Sequence, residues 1–108
     1  MPSYSPGETL AWSGVMNYED KYDGTLYVTN RRLFFEYHKG VVKKKAYITA
    51  ETPLRDITNA SVEKGPFDWN VLVIDAKEKR HKFMFRGGHP EAIAGKIGEV
   101  LAGHRSER

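Results

Sequence analysis

Basic residues concentrate in two short stretches of the chain, and they are the side chains whose type and spacing suggest a chemical task. The first stretch, His38–Lys45, contains no acid and four lysines: Lys39, Lys43, Lys44 and Lys45. The second stretch, Lys77–Arg86, contains one acid, Glu78, and five basic residues: Lys77, Lys79, Arg80, Lys82 and Arg86. Clustered cations attract anionic surfaces, but such runs are also typical of solvated hairpins. The residues alone leave both interpretations open.

Four apolar or aromatic residues lie in predicted loops, and each pair has two interpretations. Val41 and Val42 lie between lysines, so they are candidates for shallow insertion into a membrane whose headgroups the lysines contact. The alternative is that they continue the neighbouring strands and pack under the sheet. Phe67 and Trp69 follow the loop signal Gly65-Pro66, and if exposed they would form a partner-binding patch. The alternative is that they cap the core.

The chain contains no recognisable catalytic or metal-binding pattern. It has no cysteine, which excludes disulfides, thiolate metal sites and thiol nucleophiles. No glycine-rich phosphate-binding loop is present, and none of the four histidines has a metal-ligand spacing or lies in a nucleophile motif: His38, His81, His89 and His104. We therefore expect a protein that is not an enzyme and that uses no cofactor.

Length and composition are those of one globular domain. The chain has 108 residues, of which 40% are hydrophobic and 12% aromatic, and its formal net charge is +3. This composition is too apolar for a disordered chain, and the length suits a single domain over residues 1–108. No apolar run approaches the roughly 20 residues of a membrane span, and the N-terminus lacks a secretory signal pattern. We expect a cytoplasmic protein, peripheral at the membrane if the basic stretches bind lipid.

Alternation of apolar and polar residues predicts a series of short strands over about residues 10–86. Asp23-Gly24 is a turn signal between the first two strands, and Gly14 predicts a bulge or bend inside the first. The predicted strands are Leu10–Tyr18, Thr25–Thr29, Arg31–Tyr37, Lys45–Ala50, Ile57–Glu63, Val71–Ala76 and Arg80–Arg86.

The end of the chain changes to helical spacing and predicts one α-helix over about residues 90–103. Its apolar face consists of Ile93, Ile97, Val100 and Leu101. Pro90 suits the first turn, and Gly103 suits the C-terminal cap. Gly95 and Gly98 lower helix propensity by about 1 kcal/mol each, and close packing of the helix on the sheet would explain them. The fold class is therefore mainly β, with one terminal helix (α+β).

Three segments resemble the GRAM and pleckstrin-homology-like (PH-like) superfamily. They are Gly7–Leu10, Gly24–Phe35 and Pro53–Ile57, and the similarity is densest in the second. The superfamily also includes GLUE domains and bacterial PH-like domains. The resemblance implies a barrel of about seven antiparallel strands, capped at one end by the C-terminal helix. It also implies a non-catalytic protein that binds phospholipid headgroups, membranes or other proteins.

In the family fold, the first-to-second, third-to-fourth and sixth-to-seventh connections emerge at one open end. The two basic stretches would then share one mouth, which leads us to expect peripheral association with anionic membrane lipids. Phosphoinositide-binding relatives usually carry lysine and arginine across the first two strands. This chain instead has an acidic segment there, with Glu19, Asp20 and Asp23 against Lys21. We therefore expect weak binding to an anionic surface rather than a tight inositol phosphate pocket.

The alternative function is protein interaction or self-assembly, because GLUE domains bind ubiquitin and some bacterial PH-like domains form rings. Nucleic-acid binding is disfavoured, because Phe34 and Phe35 form no obvious stacking stripe. The conspicuous segment Thr29–Leu33 has a structural interpretation. Thr29 and Asn30 would shape the hairpin, Asn30 tolerating a left-handed backbone, while Arg32 packs on the sheet or pairs with a carboxylate.

Overall fold

The described residues form seven antiparallel strands and one C-terminal helix, as the sequence predicted. The computed structural model describes residues 4–39, 45–86 and 89–106. A short 3-10 turn, Leu54–Asp56, precedes the fifth strand. The elements are β1 (Leu10–Tyr18), β2 (Tyr22–Thr29), β3 (Arg32–Lys39), β4 (Lys45–Pro53), β5 (Ile57–Lys64), β6 (Trp69–Ala76), β7 (Arg80–Arg86) and α1 (Pro90–Ser106).

The strands form a single sheet in the order β4-β3-β2-β1-β7-β6-β5. Within the described residues, no hydrogen-bonded ladder joins the two edge strands β4 and β5. The sheet is therefore not closed into the expected barrel. The helix α1 packs chiefly against β5 and the 3-10 turn. Covering an edge strand with a helix protects its unpaired backbone without closing the sheet, which explains why closure is not required.

The core lies between one face of the sheet and α1. Alternate residues of the strands supply it, as a half-buried sheet requires. From the helix, Ile97 is fully buried and Leu101 is 5% exposed, so the predicted apolar face is the one that packs. Full burial of one such aliphatic side chain contributes about 1.5–3 kcal/mol. The strand residues at the centre of the core are Leu26, Val28, Leu33, Phe35, Leu72, Ile74 and Phe83.

The turn between β1 and β2 lies earlier than predicted. The chain reverses at residues 19–21, where the Lys21 N–H donates to the Tyr18 carbonyl oxygen at 2.9 Å. Glu19 and Asp20 hold left-handed backbone angles, with φ of 49° and 60°. The predicted turn signal Asp23-Gly24 instead lies inside β2. A left-handed pair without glycine carries no strong sequence signal, because acidic residues tolerate that region less often than glycine does.

Gly24 has a packing role inside the sheet. A Cβ atom at this position would lie 2.1 Å from the carbonyl oxygen of Glu36, so only glycine lets β2 and β3 approach this closely. The bulge expected at Gly14 is also displaced. The register between β1 and β2 shifts between Leu10 and Trp12, and the Trp12 ring lies against Gly14. Both glycines therefore make room for neighbours rather than for a turn.

The glycines of α1 do not contact the sheet, contrary to the prediction. Gly95 and Gly98 are exposed, and a Cβ atom on either would meet nothing within 4 Å. The helix also continues through the predicted cap residue Gly103 and ends at Ser106. Burial of Leu101 stabilises this last turn, and tertiary packing outweighs the weak propensity of a single glycine.

The described residues also bear on two expectations from the sequence, one about base stacking by Phe34 and Phe35 and one about membrane-spanning segments. Phe34 and Phe35 are both fully buried, so neither ring is available to stack on a base. Phe34 stacks on Tyr27 on the face of the sheet opposite the core, at a centroid distance of 5.1 Å. In the described part of the chain, no helix is both long enough and apolar enough to cross a membrane.

Candidate functional site

Strand pairing sets the ends of three connections at one end of the sheet, which we call the turn end: the connections of residues 19–21, 40–44 and 77–79. Residues Tyr18 and Tyr22 form the last pair of β1 and β2, and Lys39 and Lys45 form the last pair of β3 and β4. Tyr18 also pairs with Phe83 of β7, which brings the start of β7 to the end of β1. Antiparallel pairing alternates chain direction, so all three connections leave the sheet on the same side.

Most of the predicted lipid-binding residues lie in the middle connection. Val41, Val42, Lys43 and Lys44 lie outside the described residues, and so do the side chains of Lys39 and Lys45. The backbone pairing of Lys39 with Lys45 nevertheless fixes the position from which this connection starts and ends. The Lys39–Lys45 pair lies on the same side of the sheet as the β1–β2 and β6–β7 turns.

The acidic β1–β2 turn pairs with a predicted lipid-binding lysine. The Lys79 ammonium lies 3.4 Å from a carboxylate oxygen of Glu19, and it donates to the Tyr18 hydroxyl at 3.4 Å. Arg80 likewise donates to the Asp75 carboxylate on β6 at 2.6 Å. Both pairs are partly exposed, so they reduce the positive potential near the β6–β7 turn without contributing much stability. Lys77 is exposed at the same turn.

A buried hydrogen-bond chain lies just beneath the turn end. The Tyr18 hydroxyl lies 2.8 Å from Nδ1 of His81, and both residues are less than 10% exposed. The Lys79 ammonium only donates, so the Tyr18 oxygen accepts from it, and the direction of the bond between Tyr18 and Nδ1 follows the His81 tautomer. Burial lowers the pKa of His81, and the Lys79 charge lowers it further. His81 is therefore uncharged at neutral pH and adds no positive charge.

A pocket of about 240 Å³ opens beside the β6–β7 turn, but its lining does not suit an anion. It combines Lys77, Lys79 and the neutral His81 with three acidic side chains: Glu51, Asp56 and Glu78. An anion bound there would meet carboxylates on several sides, and like charges disfavour binding. This pocket is therefore not a candidate anion site.

The predicted partner-binding residues Phe67 and Trp69 lie at the opposite end of the sheet and differ from one another. Phe67 is 93% exposed at the tip of the β5–β6 turn, with a left-handed φ of 56°. A bulky residue in that region costs about 1–2 kcal/mol. The sequence predicted Trp69 to be a loop residue. It is instead the first residue of β6, and it is only partly exposed. Phe67 therefore does not cap the core, which was the alternative interpretation of this residue.

A cleft that sequence reasoning missed opens between β1 and β7. These strands pair only at Asn17–Met84 and Tyr18–Phe83, and beyond this point they separate. The cleft has a volume of about 290 Å³ and is lined by Val15, Met16, Asn17, Asp23, Trp69, Met84, Phe85 and Arg86. These residues come from four strands, so no local sequence pattern connects them. The one sequence feature that could have indicated this cleft is Val15, an apolar residue on the predicted polar face of β1.

A second charged cluster serves the fold. The Arg32 guanidinium donates from Nε to the buried carboxylate of Glu8 at 2.8 Å and from Nη1 to Glu51 at 2.8 Å. Glu8 also accepts from the Thr29 hydroxyl at 2.7 Å. The hydrogen bond from Arg32 is the largest effect on Glu8 and lowers its pKa from 4.5 to about 2. The prediction that Arg32 pairs with a carboxylate is confirmed.

Asn30 completes this cluster in a way that differs from its prediction. It is not among the described residues with a left-handed backbone. Its side chain instead accepts from the Thr9 N–H at 2.9 Å and donates to the Gly7 carbonyl at 3.1 Å. The amide therefore fixes the segment before β1 onto the β2–β3 hairpin.

Comparison with known proteins adds no family to this description: no protein-family model matches the chain, and no curated protein shows significant sequence similarity to it. Among the described residues, no group of three or more histidine and acidic side chains is arranged to hold a metal ion.

Proposed function

We propose that the chain is a non-catalytic PH-like binding module that associates peripherally with anionic membrane surfaces through its turn end. The observation that supports this most directly is the strand pairing, which sets the Lys39–Lys45 pair on the same side of the sheet as the β1–β2 and β6–β7 turns. The stretch 39–45 carries four lysines, and Lys77 is exposed at the β6–β7 turn. The proposal does not need the barrel closure that the resemblance implies, because strand pairing alone sets the ends of these connections on one side.

The binding would be electrostatic and shallow rather than pocket-based. The pocket beside the β6–β7 turn is lined by three carboxylates, and Lys79 and Arg80 are already paired with acids. Val41 and Val42 would enter the interface while Lys39, Lys43, Lys44 and Lys45 contact headgroups. Each lysine near an anionic surface contributes about 1 kcal/mol, an attraction that fades within a Debye length.

Vesicle co-sedimentation tests this proposal. We expect the wild-type chain to bind phosphatidylserine-containing vesicles at low salt, to bind less at physiological salt, and not to bind neutral phosphatidylcholine vesicles. The variant K43E/K44E/K45E should bind at least about a hundredfold less tightly, from about 1 kcal/mol per lysine.

The matched control is K64E/R86E/K96E, which reverses three charges outside the turn end and therefore has the same net charge as the first variant. Lys64 ends β5, Arg86 ends β7 and Lys96 lies on α1. This variant should keep most of the binding. Equal losses in both triple variants would contradict the turn-end proposal, because only net charge would then matter.

A second function, binding of a protein partner, is favoured by Phe67. An aromatic ring that is 93% exposed, on a backbone of unfavourable φ, is costly unless something contacts it. F67S should leave vesicle binding unchanged and abolish partner capture or self-association. Analytical ultracentrifugation at two salt concentrations would measure the latter, since an apolar interface is insensitive to salt.

A further inference from the structure

We infer that the cleft between β1 and β7 binds a short extended peptide segment of a partner protein, with an apolar side chain and a carboxylate. This inference goes beyond the membrane-binding function and does not depend on it, because the cleft and the turn end use different residues. Three features of the cleft support it: unpaired strand edges, a buried acceptor without a donor, and a stacked guanidinium without a carboxylate.

The strand edges indicate an extended occupant. β1 pairs with β2 along its length, whereas its other edge meets β7 only at Asn17 and Tyr18. The next residues on each side, Val15–Met16 and Phe85–Arg86, line the cleft without pairing. Unpaired edge groups are templates for an added strand, whose backbone satisfies them.

The buried acceptor indicates that the occupant supplies an N–H group. Asn17 donates from Nδ2 to the Asp23 carboxylate at 2.9 Å, which fixes the orientation of its amide. Its Oδ1 atom is buried and accepts no hydrogen bond from any described residue, and Asn17 is one of the residues that line the cleft. A buried acceptor left unsatisfied costs about 1–3 kcal/mol, and a peptide N–H would satisfy it.

The guanidinium indicates that the occupant carries an anion. Arg86 lies over the ring of Trp69 at 4.4 Å, which holds its planar group at the cleft. It has no carboxylate partner among the residues that the structure describes. Stacked arginines bind carboxylates through two parallel hydrogen bonds.

The remaining lining residues are apolar except Asp23, whose carboxylate already accepts from Asn17, and they indicate an apolar side chain. Val15 is 82% exposed at the rim, and Met84 and Trp69 line the cleft beside it. The volume of about 290 Å³ is at the lower limit of small-ligand sites, roughly 300–1,000 Å³, so it accommodates a short segment. A carboxylate, a backbone N–H and an apolar side chain together define an extended acidic segment that carries an apolar residue.

The test is an NMR titration of the full chain with two peptide pools. The first pool consists of short peptides that alternate valine with glutamate, and the second replaces glutamate by lysine. We expect the acidic pool to shift the backbone amides of Val15, Asn17 and Phe85 and the indole N–H of Trp69. The lysine pool should leave these signals unchanged.

Charge reversal at the guanidinium distinguishes the cleft from general attraction. R86E should bind the acidic pool about tenfold or more weakly and gain binding to the lysine pool. The control K96E has the same net charge and should behave as wild type. A reversal of preference requires a folded cleft, so loss of folding cannot produce it.

Three outcomes would overturn the inference: no shifts at the cleft with either pool, equal weakening in R86E and K96E, or cleft shifts caused by anionic vesicles and not by peptides. The variant K43E/K44E/K45E should retain peptide binding, and R86E should retain vesicle binding. A failure of either proposal is therefore visible separately.

Discussion

Arg32 and Arg86 each stack on an aromatic ring, but they differ in the number of carboxylates that they contact. Each guanidinium lies over an aromatic ring, Arg32 over Phe34 at 4.3 Å and Arg86 over Trp69 at 4.4 Å. Arg32 also bonds two carboxylates, whereas Arg86 has none in the part of the chain that is described. The hydrogen-bonding capacity of Arg32 is largely used within the fold, and that of Arg86 is not.

This difference separates a structural charge from a candidate binding charge. The carboxylate that faces Arg32 comes from the segment before β1, and it is 1% exposed in its side chain. A charge desolvated to that degree is tolerated only when it is paired. Arg86 is solvent-exposed and stacked, which is the arrangement arginine adopts where carboxylates or phosphates are recognised.

The largest expected effect is on the free energy of unfolding. R32A leaves the Glu8 carboxylate buried without its cation, so we expect a loss of about 3 kcal/mol. R86A removes an exposed stacking contact and should cost less than about 1 kcal/mol. Urea denaturation followed by circular dichroism measures both. Similar losses in the two variants would remove the distinction between the two arginines.

Acid should selectively reduce the stability that the Arg32–Glu8 pair contributes. The pKa of Glu8 is lowered in the folded protein from 4.5 to about 2, so its contribution is fully present above pH 4.5. It is lost as the pH falls toward about 2, and the total change is about 3 kcal/mol. The variant E8Q lacks this titration, so the stability difference between wild type and E8Q should shrink over that range. A difference that stays constant between pH 5 and about pH 2 would contradict the assignment.

The smallest effect concerns the exposed glycines of α1. G98A should stabilise the protein by about 0.5–1 kcal/mol, because the new methyl group meets nothing within 4 Å and alanine favours the helix. Vesicle and peptide binding should both stay at wild-type levels. If G98A abolished peptide binding, the helix surface rather than the Arg86 cleft would be the interface.

Strand positions were predictable because each depends on local alternation. β1 and β7 have the predicted bounds, and Ile97 and Leu101 face the core as their helical spacing requires. The turn predicted at Gly24 and the helix cap predicted at Gly103 were wrong. Gly24 marks a close approach of two strands instead of a turn, because the atom it avoids belongs to Glu36, a residue distant in sequence.

The turn end shows how much of a site composition can predict. Its lysines are visible as a cluster in the sequence, and the resemblance to PH-like domains led to the expectation of a shared end. The pairing of Lys79 with Glu19 and the burial of His81 depend on contacts between β1 and β7. Such contacts change the positive charge that the turn end presents, and the local sequence does not indicate them.

By itself, the sequence determined the element types, the face of each element that is apolar and the absence of cysteine chemistry, because these depend on neighbouring residues only. The tertiary structure alone decided which of two similar arginines is paired, where the sheet stays open and that β1 and β7 separate beside Trp69. Pairing, desolvation and strand separation depend on residues that are distant along the chain, so local pattern carries no information about them.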